Sequence, residues 1–133
     1  MGTSKLICMI SHPTIAPENI TENLKLKPYL TQKFGSFIVT PKGNKPGGKY
    51  KVSKWAYSIE VVDSEKLNNY LCELVEKISR EKLFIDKIID EKGEVNLIFS
   101  IAGVDNLGFN ISAGVLEKIA KMKINIGFEF FSC

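Results

Sequence analysis

Few side chains in this sequence are equipped for covalent or acid–base chemistry: there is one imidazole, His12, and there are three thiols, Cys8, Cys72 and Cys133. A cysteine or serine nucleophile paired with histidine needs the ring within hydrogen-bond reach. Cys8 precedes His12 by four residues on a segment patterned as a strand, which sets them roughly 13 Å apart if the chain is extended. Those two side chains cannot meet. Zinc asks for three or four clustered ligands, and one histidine with three scattered cysteines does not supply them; no CxxC spacing offers metal or redox chemistry either. The expectation is therefore no catalytic residue, no metal and no cofactor.

Carboxylates are more plentiful. Asp86, Asp90, Glu91 and Glu94 crowd around Gly93, and paired carboxylates do acid–base work when burial drives their pKa values apart. Here they alternate with Lys87 and Lys92, the composition of a solvated turn. A helix starting near Ser64 would expose Glu65, Asn69, Glu73 and Glu76 opposite its apolar stripe. With the 86–94 turn these would make one acidic surface suited to a basic protein partner, because complementary charge speeds encounter and selects partners.

The opposite charge gathers elsewhere. Lys42, Lys45, Lys49, Lys51 and Lys54 lie in and just after a segment dominated by glycine and proline, with Tyr50 and Trp55 beside them. Cations interleaved with aromatic rings suit phosphate ligands or single-stranded nucleic acid. The glycines match neither GxxxxGK[ST] nor GxGxxG, so no phosphate cradle is specified. The alternative is a solvated loop with Trp55 turned into the core.

The net charge of +3 conceals this division: residues 1–59 sum to +7, residues 60–94 to −4, and the remainder to zero. Nearly all the positive charge is lysine, with Arg80 the only arginine. Bidentate grips on phosphate and base edges favour arginine, so nucleic-acid recognition is permitted without being signalled.

The elements that must position these residues follow from periodicity. A length of 133 residues with 44% hydrophobic content suits one domain spanning 1–133. No apolar run approaches the roughly 20 residues of a membrane-spanning helix, and the opening residues lack a signal-peptide core, so a cytoplasmic protein is expected. Residues 4–11 alternate apolar side chains on both faces, as a central strand does. Pro17 opens a short helix that Pro28 terminates. The brief apolar stretch 37–39 precedes the glycine–proline loop. Trp55, Tyr57, Ile59 and Val61 mark a strand with one buried face, and Leu67, Leu71, Leu74, Val75 and Ile78 a helical stripe. A short helical or irregular piece over 83–89 leads to a strand over 95–102. Ser112 caps a helix burying Val115, Leu116, Ile119 and Ala120, before a last strand that alternates Ile124, Ile126, Phe128 and Phe130. The fold class is α+β: a mainly antiparallel sheet with helices on one face, built as a ferredoxin-like βαββαβ core with an appended helix and strand.

Several blocks taken together resemble a known family. They are Pro17-Glu18-Asn19-Ile20-Thr21-Glu22-Asn23-Leu24-Lys25-Leu26-Lys27-Pro28, then Gly35, Trp55 opening its strand, the Ser64 helix, and Ile111-Ser112 through Leu116-Glu117-Lys118-Ile119-Ala120 into the last strand. Their order and spacing resemble the bacterial family catalogued as domain of unknown function 4279, with departures at Lys25, where the family often has a small residue or glycine, and at Phe131. The resemblance implies no enzyme chemistry and no cofactor. Small size and a bacterial setting are shared with immunity proteins, which bind and block a cognate toxin domain. The partner so implied is a toxin, met by the acidic middle of the chain; the other function class is a small-ligand or nucleic-acid-binding module using the basic 42–54 loop. Oligomeric state is left open.

Overall fold

Alternation in the first strand is resolved by giving it a neighbour on each side. The computed structural model describes residues 4–38, 48–62, 66–102 and 109–131. Its elements run β1 (Ser4–His12), α1 (Pro17–Leu24), β2 (Leu30–Gln32), β3 (Ser53–Val61), α2 (Leu67–Ser79), α3 (Lys82–Asp90), β4 (Glu94–Ala102), α4 (Ala113–Lys121) and β5 (Asn125–Phe131). One sheet of order β2-β3-β1-β4-β5 places β1 at its centre. β1 is antiparallel to β3 and β4, β2 is antiparallel to β3, and β5 is parallel to β4. Thus α1 carries the chain from β1 over β3 to β2, and α2 with α3 carries it from β3 over β1 to β4. Each crossover leaves a gap that a strand of the other fills, the interleaved βαββαβ order expected from the pattern. A last helical crossover through α4 adds β5, as parallel pairing requires.

Register decides which face is buried. Leu6, Cys8 and Ile10 sit opposite Ile59, Tyr57 and Trp55 on one side and Phe99, Leu97 and Val95 on the other. The helices bring Ile20 and Leu24, then Leu71, Leu74 and Ile78, then Ile85 and Ile88, and finally Ile119 onto this face, forming one hydrophobic cluster. Trp55 is fully buried and its indole Nε1–H donates to Thr21 Oγ1 at 3.0 Å, tying α1 to β3 while satisfying the one polar atom of a large apolar side chain. The helix-free face carries Ile7, Met9, Ser58, Asn96 and Ile98, all half-buried.

Two local expectations change, and the open reading of 83–89 is decided as a helix. The strand preceding β3 is Leu30–Gln32; of the 37–39 stretch, Phe37 makes an isolated bridge to Lys49, because Gly35 turns through the left-handed region at φ 83° and breaks the ladder between them, and Val39 lies outside the described residues. The 83–89 piece is a full helix, α3, held by Ile85 and Ile88 against the sheet, so there are four helices among the described residues. Ser112 caps α4 as expected, its Oγ accepting from the Val115 N–H, but Leu116 and Ala120 are exposed. Ile119, Met122 and Ile124 supply the fully buried contacts at this end of the molecule. Asp63 and Ser64, the expected cap of α2, lie outside the described residues.

Candidate functional site

His12 ends β1 and is buried. Its Nδ1 accepts two backbone hydrogen bonds, from the N–H of Thr14 at 3.0 Å and of Ile15 at 2.9 Å. With both donors aimed at Nδ1, the ring proton resides on Nε2, which donates to Glu91 Oε1 at 2.7 Å. Every polar position of the ring is thereby used to fold the His12-Pro13 turn and to join it to the end of α3. Cys8 lies on the same face of β1, in the core, where burial pushes its thiol up to about 12, far from the thiolate a nucleophile requires. Cys72 is half-buried on α2, and Cys133 lies outside the described residues. Among the described residues no three His, Cys, Asp or Glu side chains are grouped to hold a metal ion.

The acidic residues differ in their partners. Glu76 pairs with Lys118 of α4, and the hydrogen bond and charge of that ammonium hold its carboxyl below the usual carboxylate range, with a smaller push from Arg80. Asp86 pairs with Lys82 at 3.6 Å along α3, and Glu91 holds His12. Glu94 is opposite Ser11 in the register, which puts its side chain on the helix-free face. Asn69, Glu73 and Asp90 are exposed, and Glu65 lies outside the described residues. Of the described members of the set, Asn69, Glu73, Glu76, Asp86 and Asp90 are carried by α2 and α3, and Glu94 lies on the other face of the sheet.

The basic residues are closer companions. A two-stranded ribbon extends β2 and β3: the Gly35 N–H donates to Tyr50 O, the Tyr50 N–H to Ser36 O and the Ile38 N–H to Gly48 O, each at 2.9 Å. Gln32 Nε2 donates to Val52 O, and Ser53 Oγ accepts from the Phe34 N–H. Lys49 Nζ stands 5.2 Å above the Phe37 ring, a cation–π distance. Lys51 and Lys54 are exposed, Lys54 between Gln32 and Ser11. Lys42 and Lys45 lie outside the described residues. Trp55 is a core residue and takes no part in this surface. In its place the ribbon exposes Tyr29 (56%), Phe34 (45%) and Phe37 (61%), with Lys33 also exposed. Sequence reading passed over these four; the signal was present, since residues 23–59 contain eight lysines and no Asp or Glu.

Two further features emerge only from packing. The end of α1 and the junction of α2 with α3 border an open pocket of about 270 Å³ lined by Asn23, Leu24, Lys25, Lys77, Arg80 and Glu81. At the opposite edge of the sheet, Phe128 stacks on buried Phe99 at 5.3 Å and on Phe130 at 6.5 Å. Phe128 and Phe130 are both exposed, so an aromatic row runs from the core out along β5; Phe131, opposite Ala102 in the register, is exposed on the other face of the sheet.

No helix among the described residues is long and apolar enough to cross a membrane. No curated protein and no solved structure matches the chain. The family described as a domain of unknown function, DUF4279, matches residues 6–130, from the second turn of pleat in β1 to the next-to-last residue of β5, and the chain therefore belongs to that family.

Proposed function

We propose that this chain is a non-enzymatic binding protein, an immunity protein that neutralises a cognate bacterial toxin by covering its active surface. The observation that carries the reading is the aromatic row of β5. Phe128 and Phe130 are exposed on a strand that ends the sheet and stack outward from buried Phe99, and exposed aromatic side chains continuous with a core are the anchors that protein interfaces bury. The engagement of His12 and the burial of Cys8 support binding over catalysis, because the groups best suited to chemistry are spent on the fold. Acidic residues would act as the rim: Glu73 and Asp90 are exposed and make no ion pair among the described residues, which suits them to steering a basic toxin.

The test is co-expression with candidate toxin domains, taken first from any toxin gene found next to this one, reading growth rescue and co-purification. Rescue lost in Phe128→Ser and Phe130→Asp, with folding retained, supports the reading. Absence of rescue and of association in the wild-type protein refutes it.

A further inference from the structure

We propose that the β2 edge of the sheet, with the described ribbon residues 33–38 and 48–52, binds single-stranded nucleic acid, Lys33, Lys49, Lys51 and Lys54 meeting backbone phosphates and Tyr29, Phe34 and Phe37 stacking on bases. This surface lies at the opposite edge of the sheet from β5 and does not depend on the toxin reading.

Charge is the first argument. The absence of any carboxylate from residues 23–59 means that Lys33, Lys49, Lys51 and Lys54, all exposed, have no acidic neighbour from their own ribbon. Single strands carry closely spaced phosphates that such a row can track without reading sequence. Ring exposure is the second. Tyr29, Phe34 and Phe37 are each about half exposed or more, and none of the three stacks on another aromatic ring in the described structure. The rings of Tyr29 and Phe34, and the face of Phe37 away from Lys49, are available to unstacked bases, which a duplex does not present.

The alternative location, the helix-free face of the sheet, lacks the means. Its central positions are Ile7, Met9, Ala56 and Ser58, while the aromatic residues of β3, Trp55 and Tyr57, belong to the face that carries the helices. An acidic protein would satisfy the charges equally, but lysine is depleted from protein interface centres, and here lysines and rings are interleaved, Lys49 lying directly over Phe37.

The experiment is fluorescence anisotropy with a labelled oligo-dT of about 15 nucleotides, titrated from about 20 to 200 mM salt and compared with a duplex of the same length, heparin and poly-glutamate. Binding is expected at low salt, with log K falling against log salt at a slope near −2 to −3 if three or four phosphates are neutralised, about 0.7 each. Tyr29→Ala, Phe34→Ala and Phe37→Ala should each weaken oligo-dT about fivefold or more, the lower end for one stacked base, and leave the slope unchanged. Lys49→Ala/Lys51→Ala/Lys54→Ala should flatten the slope by about 2. All six side chains are exposed, and circular dichroism of each variant separates lost binding from lost folding. No binding at the lowest salt overturns the proposal. So does equal binding of heparin or duplex with no effect of the aromatic variants, which marks adhesion of any polyanion, and so does poly-glutamate competing as well as oligo-dT, which assigns the edge to an acidic protein.

Discussion

Replacing His12 separates a structural imidazole from a chemical one. Two substitutions divide its bonds. In His12→Asn the amide oxygen can take the place of Nδ1, accepting from the N–H groups two and three residues on, as asparagine does in turns, while the link to Glu91 is lost. In His12→Gln the amide reaches toward Glu91, but the Thr14 and Ile15 N–H groups lose the acceptor they hold at 3.0 and 2.9 Å. A buried donor left unpaired costs about 1–3 kcal/mol, and two at a partly buried turn, one of them reachable by water, give about 2–4 kcal/mol for His12→Gln. The Glu91 carboxylate is 44% exposed, so its bond is screened and His12→Asn should cost only about 1–1.5 kcal/mol. Glu91→Gln, which keeps an acceptor oxygen, should cost less than about 1 kcal/mol. Domains of this size are stable by about 5–15 kcal/mol, so all three variants remain folded. Urea denaturation followed by the fluorescence of Trp55, the single tryptophan and wholly buried, reads the differences. If His12→Asn were as damaging as His12→Gln, the turn-forming role of Nδ1 would be wrong.

Other consequences are as direct. A Cβ on Gly93 would lie 2.7 Å from Ser11 O, Ile88 O and Ile88 Cγ2, so Gly93→Ala should destabilise by about 2 kcal/mol or more through displaced backbone, seen as a lowered urea midpoint. Lys25 closes α1 in the left-handed region at φ 56°, where a side chain is strained; Lys25→Gly should raise stability by up to about 1 kcal/mol, and a loss would show that the lysine makes a compensating contact. Because the Glu76 carboxyl is held below its ordinary range by Lys118, the pair stabilises the fold above the unfolded carboxylate pKa and loses that contribution as pH falls through the lower folded value. Wild type and Lys118→Ala should therefore converge in stability in that acidic window and differ above it. Iodoacetamide should leave Cys8 unmodified in the native protein and reach it only after unfolding, since the thiol is wholly buried and burial pushes it up to about 12.

Local chemistry settled much of this protein before any long-range contact was considered. The alternation in residues 4–11 demanded a strand covered on both sides, and β1 is central; the stripe from Leu67 to Ile78 demanded a helix with one buried face; Pro17 and Ser112 opened helices, and the order of elements implied a mainly antiparallel sheet under helices. These readings depend on periodicity and backbone stereochemistry, which act over a few residues. Membership of the DUF4279 family was legible in the same way, from blocks strung along the whole chain.

Placement was decided by the tertiary structure. That β2 is Leu30–Gln32 depends on its register with β3, which no window of sequence contains. Acidic residues that look alike in sequence acquire different surroundings because α4 delivers Lys118 to Glu76, β1 delivers His12 to Glu91, and the pleat turns Glu94 to the other side of the sheet. The aromatic side chains of β5 would be core in a strand with neighbours on both sides; parallel pairing to β4 alone leaves them at an edge. Burial, ion pairing and exposure are properties of pairs of segments far apart in the chain, and a candidate surface is therefore fixed only when those segments are packed together.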